Sequence, residues 1–293
     1  MKILVIGGSG VIGSKITEYF KQKNYDVNFT YMKNKSNLDN GQYLNITQKH
    51  HTAELIKKNN PDVIIHCVAL ANMDECEKNK EKANQINVQG IENTVFAAKT
   101  INCKIIFIST SAVFNGEKSE YVESDKICPT SHYGMTKAIG EKIVENSGLS
   151  YLILRTDQPY CQIKKWQHTN SVVRTIETLK ANNIFKEIVD WKNRPTYVPN
   201  FVQSLEILLE SRAEGIFHIV GDDYISRYEM ALKIADVFNL NKELVIPIKS
   251  NELHLTAKRA NVNLENRKLF RTTGFKMNNF EQGLKNMLIC SNH

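Results

Sequence analysis

The chain has 293 residues, which fits one large α/β unit or two closely joined lobes, and 42% of them are hydrophobic, enough for a core. The net charge is +7, but basic residues are scattered among acidic ones without a block of like charges, which argues against a nucleic-acid-binding protein. A small anionic substrate or cofactor is a sufficient partner for this charge. Because no apolar stretch reaches the roughly 20 residues that span a bilayer, we expect no membrane segment.

The cysteines are spread along the chain without a CxxC pair or a metal-type pairing with histidine. We interpret them as reduced core thiols of a cytoplasmic protein, and we expect no metal site. The N-terminal apolar run is too short for a signal peptide and ends in glycines. The cysteines are Cys67, Cys76, Cys103, Cys128, Cys161 and Cys290.

The first predicted strand, Lys2–Ile6, runs into a glycine turn that precedes a helix-like stretch at residues 14–23. This order predicts a dinucleotide phosphate site, because glycines let the backbone approach the pyrophosphate and the helix end offers free N–H groups. A glycine-rich turn without a ligand is the alternative. The predicted cofactor contacts in this turn are Gly7, Ser9, Gly10, Val11, Ile12 and Gly13.

The second predicted strand, Asp26–Tyr31, is followed by lysines at positions 33 and 35 and by no acidic residue between them. An acid here would bind the ribose 2′-hydroxyl of NAD, whereas a cation suits the 2′-phosphate of NADP. We therefore expect NADPH, with Lys33 or Lys35 on the phosphate; NADH and ordinary surface lysines are the alternatives. The other contacts predicted in this half are Tyr31, Ile46 and Asn45, the last placed to contact adenine.

Further apolar strands are predicted at Val63–Cys67, Lys104–Ser109 and Tyr151–Arg155, and helix-like stretches at residues 49–59, 79–100 and 133–147. Apolar strands that alternate with helices indicate a parallel sheet covered on both faces. The predicted fold is therefore α/β, a Rossmann-type doubly wound parallel sheet.

The pattern changes after residue 156, where the segment 157–183 is polar and aromatic and shows no clear strand. A helix at Phe201–Glu210 and a strand at Ile216–Val220 resume the α/β pattern, and the tail reads as helices and short segments. We predict a nucleotide-binding domain and a smaller, mostly helical C-terminal substrate lobe. The domain comprises residues 1–156, with 200–221 returning to it, and the lobe comprises 157–199 and 222–293.

Strand Lys104–Ser109 continues into Thr110 and Ser111, whose hydroxyls would face the ligand crevice at the carboxyl edge of the sheet. Downstream, Tyr133 and Lys137 stand four residues apart on a predicted helix and therefore share one face. A cation beside a phenol lowers its pKa, so we expect Tyr133 to exchange protons near neutral pH. Thr110 would hold a substrate carbonyl against it.

The Tyr–x–x–x–Lys spacing is not specific by itself, because it occurs four times in the chain. Only the Tyr133/Lys137 pair lies downstream of a strand-end hydroxyl cluster and opens a predicted helix. For this pair the alternative is an ordinary surface helix pair. The other pairs are Tyr19/Lys23, Tyr31/Lys35 and Tyr160/Lys164.

A dense run of aromatic and hydrogen-bonding side chains occupies residues 166–171, in the segment without a clear strand. Such a run suits a sugar-nucleotide pocket, in which an aromatic face stacks and polar groups bind hydroxyls. A polar surface loop is the alternative. The substrate contacts proposed from this run are Trp166, His168 and Asn170.

Together these elements resemble an extended short-chain dehydrogenase/reductase. The matching elements are the glycine turn, Pro61–His66 leading to Ala69-Leu70-Ala71, Ile86–Gly90, the Ser109-Thr110 strand end and the Tyr133/Lys137 pair. The resemblance implies that the nicotinamide lies near Ala69 and Ala71 and that Lys137 holds the ribose hydroxyls. It also implies that Asn87 supports a proton-relay water near that lysine.

Within that superfamily the chain is most similar, over nearly its whole length, to the dTDP-4-dehydrorhamnose reductase group. Ser109–Gly116 is similar to the group's S-T-D-x-V-F-x-G, and Arg194–Asn200 to its S-P-T-Y-x-x-D. The chain departs from the pattern at Ser111, where the group has Asp, and at Gln158, where it has Trp. The substrate contacts that this resemblance implies are Ser111, Val113, Gln158 and Arg194.

The resemblance implies an NAD(P)H-dependent reductase of a 4-keto (deoxy)sugar nucleotide in nucleotide-sugar or surface-polysaccharide biosynthesis. Its expected partner is the sugar nucleotide, with no nucleic acid and no membrane, and a homodimer is a further hypothesis. One alternative is an NADP-binding regulatory subunit similar to that of methionine adenosyltransferase. Another is a bifunctional epimerase–reductase similar to GDP-fucose synthase, whose cysteine is Ser111 here, with Cys161 and His168 as substitutes.

Overall fold

The computed structural model describes residues 1–34 and 40–290. β1 forms where apolar residues run without interruption, and successive side chains of a strand point to opposite faces of the sheet. The strands are β1 (Lys2–Ile6), β2 (Asp26–Tyr31), β3 (Gly41–Tyr43), β4 (Val63–His66), β5 (Lys104–Thr110), β6 (Tyr151–Thr156), β7 (Pro159–Tyr160), β8 (Phe185–Ile188), β9 (Lys192–Asn193), β10 (Thr196–Tyr197), β11 (Gly215–His218), β12 (Ile225–Ser226) and β13 (Val245–Ile248).

Helices connect most of these strands. They are α1 (Val11–Gln22), α2 (Lys49–Asn59), α3 (Met73–Lys78), α4 (Lys80–Asn84), α5 (Gly90–Ile101), α6 (His132–Glu145), α7 (Ser171–Lys180), α8 (Val198–Glu210), α9 (Arg227–Val237), α10 (Arg267–Thr273) and α11 (Phe280–Ile289). A π-helical turn spans Gln85–Gln89, and short 3-10 helices span Ser111–Val113, Lys242–Leu244 and Ser250–Glu252.

The central sheet has seven strands in the order β11-β6-β5-β4-β1-β2-β3. All its neighbouring strands are parallel. The chain order reverses between β1 and β4, and a doubly wound sheet binds ligands at this point, outside the carboxyl ends of its strands. The predicted Rossmann-type α/β fold is therefore confirmed, and its ligand-binding edge is the one after β1, β4, β5 and β6.

Both faces of the central strands are buried, which explains why β1, β4 and β5 are mostly apolar. Ile3 and Val5 of β1 pack on one face with residues of α1, α8 and α11. Leu4 and Ile6 pack on the other face with residues of α2 and α5. The first core extends to Phe280 of α11, so the end of the described chain packs against its first strand's layer.

The predicted helix at 79–100 is interrupted. α4 and α5 flank the π-helical turn Gln85–Gln89 instead of forming one continuous α-helix. The sequence also did not predict β3, which pairs in parallel with β2 and extends the sheet by one short strand.

The segment 157–183, predicted to lack a clear strand, contains the short strand β7 and the helix α7. The two residues of β7 pair with β10, a long-range contact that a local pattern does not show. Helix α7 forms because Asn170 caps its first turn and because Val172, Ile176 and Leu179 recur at helical spacing and are buried.

All of the cysteines are free thiols. The prediction that they are core residues is wrong for Cys128 and Cys290, which are exposed. Cys128 lies in a loop and Cys290 follows the last helix, so neither is covered by a second layer. Within the described ranges, no helix combines the length and the hydropathy needed to cross a membrane.

Candidate active site

A cavity of about 510 Å³ lies at the carboxyl edge of the sheet, where the chain leaves β1, β4, β5 and β6. One side of it is formed by the glycine turn, by the loop after β4 and by α6. The other side is formed by later segments of the chain, His168–Ser171, Trp191, Asn193 and Lys258–Ala260. The cavity is therefore enclosed by residues that are far apart in sequence.

The glycine turn after β1 requires glycine at two positions. Gly7 has φ +85°, in the left-handed region, and a Cβ on Gly13 would lie 2.3 Å from the carbonyl oxygen of Gly7. Gly10 is the N-cap of α1, and no side chain caps that helix. Because Val11 and Ile12 line the cavity, the partly positive end of α1 faces it and suits a phosphate.

Gln167 connects the segment after β7 to this turn by hydrogen bonds. Its side-chain amide donates hydrogen bonds to the carbonyl oxygens of Ser9 and Gly10, both at 3.1 Å, and to the Ser14 hydroxyl at 2.9 Å. The predicted cofactor contact Ser9 thus also anchors the opposite wall. Residue 167 stood within the polar run of the sequence but was not among the predicted contacts.

The loop after β2 has the charge expected for NADP as far as the structure describes it. Residues 27–34 contain no acid, and Lys33 is exposed there. Lys35, the second candidate cation, lies outside the described residues. Tyr31, at the end of β2, packs edge-on against Tyr43 of β3 with ring centroids 6.4 Å apart.

Two predicted cofactor contacts, Asn45 and Ile46, have structural roles of their own. The Asn45 side-chain oxygen accepts hydrogen bonds from the backbone N–H of Thr47 at 3.2 Å and from its hydroxyl at 2.9 Å. Ile46 is buried in the core, and its carbonyl oxygen accepts from the Asn93 amide at 2.9 Å. Neither residue lines the cavity.

Thr110 and Tyr133 meet because α6 packs closely on the turn that follows β5. A Cβ on Gly134 would lie 2.1 Å from the carbonyl oxygen of Ala112, so only glycine permits this approach. Thr110 lies beside the Tyr133 phenol and acts on its pKa through hydrogen bonding. Both residues line the cavity together with Lys137, so the structure brings the three predicted catalytic groups into one site.

The pKa of the Tyr133 phenol shifts upwards, in the direction opposite to the one expected from the sequence. Burial raises it to about 12, and the hydrogen bond to Thr110 acts in the lowering direction. The Nζ of Lys137 lies 3.8 Å from the centroid of the Phe107 ring, and burial lowers the pKa of its own ammonium to about 7. The predicted depression of the phenol pKa is therefore wrong, and Tyr133 keeps its proton at neutral pH.

Asn87 reaches the site from the π-helical turn. Its Oδ1 accepts the backbone N–H of Leu70 at 2.7 Å, and its Nδ2 donates to the Leu70 carbonyl oxygen at 3.1 Å and to the Thr136 hydroxyl at 2.9 Å. The residue is buried and does not line the cavity. It ties the loop after β4 to α6, one residue before Lys137.

A buried ion pair joins α6 to the central sheet next to the cavity. Glu141 of α6 accepts hydrogen bonds from Arg155 of β6 at 3.0 and 2.7 Å and another from the Ser109 hydroxyl of β5. Arg155 also donates to the ring nitrogen of His218 on β11 at 3.3 Å. The network fixes α6 against the sheet, and the Glu141 carboxylate raises the pKa of Lys137 against the effect of burial.

The other Tyr–x–x–x–Lys pairs lie elsewhere. Tyr19 donates a hydrogen bond to the Glu206 carboxylate at 2.6 Å, on the far side of α1. Tyr160 is buried in the core and donates to the Phe280 carbonyl oxygen at 3.3 Å. The pair that begins at Tyr31 has its lysine outside the described residues.

Four predicted substrate contacts line the cavity, but three of them already form side-chain hydrogen bonds with other residues of the chain. The Ser111 hydroxyl donates to Asp157 at 3.0 Å. The Gln158 amide oxygen accepts from Arg227 at 2.9 Å. The other two that line the cavity are Asn170, which caps α7, and His168, which is exposed.

Three predicted substrate contacts lie outside the cavity wall. Val113 is buried in a small apolar cluster. The Trp166 carbonyl oxygen accepts a hydrogen bond from the Asn34 amide at 3.1 Å, which places this residue beside the loop after β2. The Arg194 guanidinium donates to the Asn263 side chain at 2.6 Å and thereby binds the C-terminal segment.

The wall contains polar residues that sequence reasoning missed. Thr156 ends β6 in register with Thr110, Asp157 follows it, and Asn193 lies on β9. Burial raises the pKa of the Asp157 carboxyl from 3.8 to about 6. The carboxyl end of a predicted strand was a usable signal for the first two, whereas no local pattern marks Asn193.

Comparison with known proteins places the chain in a family. Residues 1–291 match the profile of the RmlD substrate binding domain. The chain is 30% identical to methionine adenosyltransferase 2 subunit beta of Mus musculus, over 98% of this chain and 87% of that protein. It is 28% identical to dTDP-4-dehydrorhamnose reductase of Aggregatibacter actinomycetemcomitans, over 98% of both.

A solved structure agrees with these relatives. The crystal structure of dTDP-4-dehydrorhamnose reductase from Bacillus anthracis, in complex with NADP, is 27% identical and superposes with a TM-score of 0.88 over 99% of both chains. The match thus covers the sheet, the glycine turn and the segments that enclose the cavity. The chain belongs to the RmlD substrate binding domain family.

Proposed function

We propose that this protein is an NADPH-dependent reductase of a 4-keto (deoxy)sugar nucleotide. The observation that carries the proposal is that Thr110, Tyr133 and Lys137 meet in one cavity beside the glycine turn. The family relatives named dTDP-4-dehydrorhamnose reductase, one of them solved with NADP, support both the cofactor and the substrate class.

The residues present fit a dinucleotide. The turn at Gly13 has no room for a Cβ, and α1 begins without a side-chain cap, so its N–H groups are available to a pyrophosphate. The exposed Lys33 suits a 2′-phosphate, and Ala69 and Ala71 give the cavity a smooth wall against which a nicotinamide can pack. When bound, NADPH supplies the hydride.

The chain's own residues supply the proton and hold the ketone. Thr110 and Tyr133 donate hydrogen bonds to the ketone oxygen, and Tyr133 gives its proton to that oxygen as negative charge develops. The raised pKa of the phenol ensures that this proton is present at neutral pH. Lys137 lies one helical turn further along α6, where its ammonium can bind ribose hydroxyls, and Asn87 positions the adjoining turn.

The division into domains is part of the proposal. Residues 1–156 and 200–221 form the nucleotide-binding domain, and residues 157–199 and 222–293 form the substrate lobe. In support, β11 from the returning segment pairs with β6, while His168, Asn193 and Arg259 from the lobe line the cavity. The free thiols support a cytoplasmic location.

We also propose a homodimer. Helix α6 exposes Met135 and Ile139, which line an apolar groove of about 450 Å³ together with Ile127 and Ile143. Exposed apolar patches of this kind are commonly covered by another protein surface. Light scattering coupled to size-exclusion chromatography measures the mass directly, and Met135→Glu should shift a dimer towards the monomer.

A second candidate function is an NADP-binding regulatory subunit. The 30% identity to methionine adenosyltransferase 2 subunit beta favours it. A regulatory subunit binds the cofactor without turning over a ketone, so cofactor binding, absence of turnover and co-purification with methionine adenosyltransferase would support it. The assembled group of Thr110, Tyr133 and Lys137 favours the reductase.

The bifunctional epimerase–reductase has less support. Cys161, the predicted substitute for an acid–base cysteine, is buried in the main core. Cys67 is the cysteine found among the described residues that line the cavity. Burial raises the pKa of its thiol to about 12. A thiol with so high a pKa is a poor general acid–base group at neutral pH.

The reductase proposal is tested by NADPH oxidation with a panel of 4-keto sugar nucleotides, with NADH in parallel. Tyr133→Phe removes the proton donor and should lower kcat by about 10²–10⁴-fold. Tyr151→Phe, at the opposite edge of the sheet, is the matched control and should retain activity. Comparable turnover by Tyr133→Phe and the wild type would sink the catalytic assignment.

A further inference from the structure

Two buried side chains of the cavity wall carry polar atoms that have no hydrogen-bond partner within the described chain. These atoms are Oγ1 of Thr156 and Oδ1 of Asn193. Thr156 is 5% exposed and Asn193 is 3% exposed, and both residues line the cavity. Buried polar atoms are normally paired, so two such atoms around one cavity point to a ligand that completes their hydrogen bonds.

The position of Thr156 relates it to the groups that bind the ketone. Thr156 of β6 is in register with Thr110 of β5. Neighbouring strands are about 4.8 Å apart, and in-register residues of parallel strands point to the same face. A ketone oxygen held by Thr110 and Tyr133 therefore brings the substituent of the adjacent ring carbon next to Thr156.

Asn193 lies beside Asp157. The Asp157 carboxyl accepts hydrogen bonds from the Ser111 hydroxyl at 3.0 Å and from the backbone N–H of Arg194 at 2.9 Å. The Asn193 side chain lowers the pKa of the same carboxyl as a hydrogen-bond donor. Only the Nδ2 group of Asn193 can donate to a carboxylate, so its Oδ1 is the atom that stays unpaired. An amide oxygen accepts but cannot donate, so it selects a hydroxyl over a hydrogen or a methyl group.

We propose that Thr156 and Asn193 form a hydroxyl-binding subsite that selects a nucleotide sugar with a free hydroxyl on the carbon next to the ketone. In a 4-keto sugar this is the 3-hydroxyl, because the other neighbouring carbon carries the ring oxygen. Asn193 accepts a hydrogen bond from the hydroxyl, and Thr156 donates one to it. The position of the ketone in this inference rests on the proposed reductase function.

A sugar that lacks this hydroxyl leaves both protein atoms unpaired. A site built to bind a substrate hydroxyl rejects the analogue without it much more strongly than an apolar pocket rejects a missing methylene. The subsite therefore predicts discrimination at the carbon next to the ketone, independent of which nucleotide the sugar carries.

The test compares dTDP-4-keto-6-deoxyglucose with its 3-deoxy counterpart in the wild type and in Thr156→Val. This substitution breaks no hydrogen bond among the described residues, because the hydroxyl that it removes has no partner among them. The Kd of each sugar is measured by calorimetry on the NADP⁺-saturated protein, and kcat/KM by NADPH oxidation. We expect the wild type to prefer the 3-hydroxyl sugar by about tenfold or more per hydrogen bond, and the variant to lose about tenfold of that ratio.

Thr175→Val is the matched control, since Thr175 is also a buried threonine but lies on α7 outside the cavity wall. It should leave the ratio of the two Kd values unchanged. Asn193→Ser shortens the other acceptor and should lower the same ratio. Melting temperatures of all variants verify that they are folded.

The outcomes separate the subsite from the reductase. Equal Kd values for the two sugars in the wild type, equal weakening of both by Thr156→Val, or binding of neither sugar would overturn the subsite. Discrimination in Kd without NADPH oxidation supports the subsite and overturns the reductase. Oxidation with both sugars at equal kcat/KM supports the reductase and overturns the subsite.

Discussion

The two ends of the cavity are built in different ways. The proposed cofactor end is one contiguous turn, Gly7–Gly13, between a strand and the helix that follows it. The proposed substrate end is assembled from Thr110, Thr156 and Asn193, which come from three separate strands. The first depends on the conformational freedom of its own glycines, whereas the second depends on distant contacts that hold its strands and α6 together.

We expect the largest effect, on the free energy of unfolding, at the buried Glu141–Arg155 ion pair that holds α6 against the sheet. Glu141→Gln leaves the Arg155 guanidinium, 2% exposed, without its ionic partner. Removing one partner of a buried ion pair costs about 3–5 kcal/mol. We expect this loss in the free energy of unfolding measured by urea titration, together with reduced turnover, because α6 carries Tyr133.

Glu145→Gln is the control for that experiment. Glu145 lies on the same helix and forms an exposed ion pair with Lys142 at 2.8 Å. Exposed pairs contribute about 0–1 kcal/mol, so the change should be small. Equal losses for the two variants would contradict the difference between the buried network and the helix surface.

A smaller effect, which depends on pH, is expected at Asp157. Its pKa in the folded chain is raised from 3.8 to about 6. As the pH falls, the folded state therefore binds a proton at a higher pH than the unfolded state does. The burial of its charge therefore destabilises the fold above pH 6, and this penalty is relieved as the pH falls from about 6 to 3.8. Since one pKa unit is about 1.4 kcal/mol, the relief is about 3 kcal/mol.

Asp157→Asn removes this titration. Unfolding free energies of the wild type and the variant, measured between about pH 7 and pH 4, should diverge in favour of the wild type as the pH falls. Effects of other carboxyl groups are common to both proteins and cancel in the difference. A constant difference across the range would show that Asp157 has the same pKa in both states.

The smallest of these effects is expected at the cofactor end. Gly13→Ala forces the backbone at Gly7 to move, and the NADPH Kd should rise about tenfold, or about 1.4 kcal/mol. Gly10→Ala is the comparison, because its Cβ would lie at an ordinary 3.4 Å from the same oxygen and should weaken binding less. Fluorescence titration with NADPH measures the Kd of both variants. A larger increase in Kd for Gly10→Ala than for Gly13→Ala would contradict the argument that the Cβ at residue 13 has no room.

Much of the fold could be predicted from short stretches of sequence. β1 and β2 have the predicted bounds: β1 is an apolar run that ends in glycines, and β2 alternates polar and apolar residues. Helix α2 also has its predicted bounds. β3 and β7 could not be predicted, since strands of three and two residues are defined by their pairing with other strands and not by a periodic pattern.

The candidate site was predictable to a different degree at its two ends. The glycine turn and the Tyr133/Lys137 pair are local patterns with a direct physical meaning. Trp166 and Arg194 carry the right chemistry for a substrate, but neither lines the cavity, and the Arg194 guanidinium binds the Asn263 side chain in the C-terminal segment. Composition shows that a side chain can form hydrogen bonds and does not show which partner it finds.

Short stretches of sequence predict the doubly wound fold, a glycine turn suited to phosphate and the residues proposed for catalysis, because strand patterns, glycine and helix spacing act over a few residues. The raised pKa of Tyr133 and the unpaired atoms of Thr156 and Asn193 follow from the tertiary structure. Burial and pairing depend on what the rest of the chain places around a group. These properties therefore arise only when strands that are distant in sequence meet at one edge of the sheet.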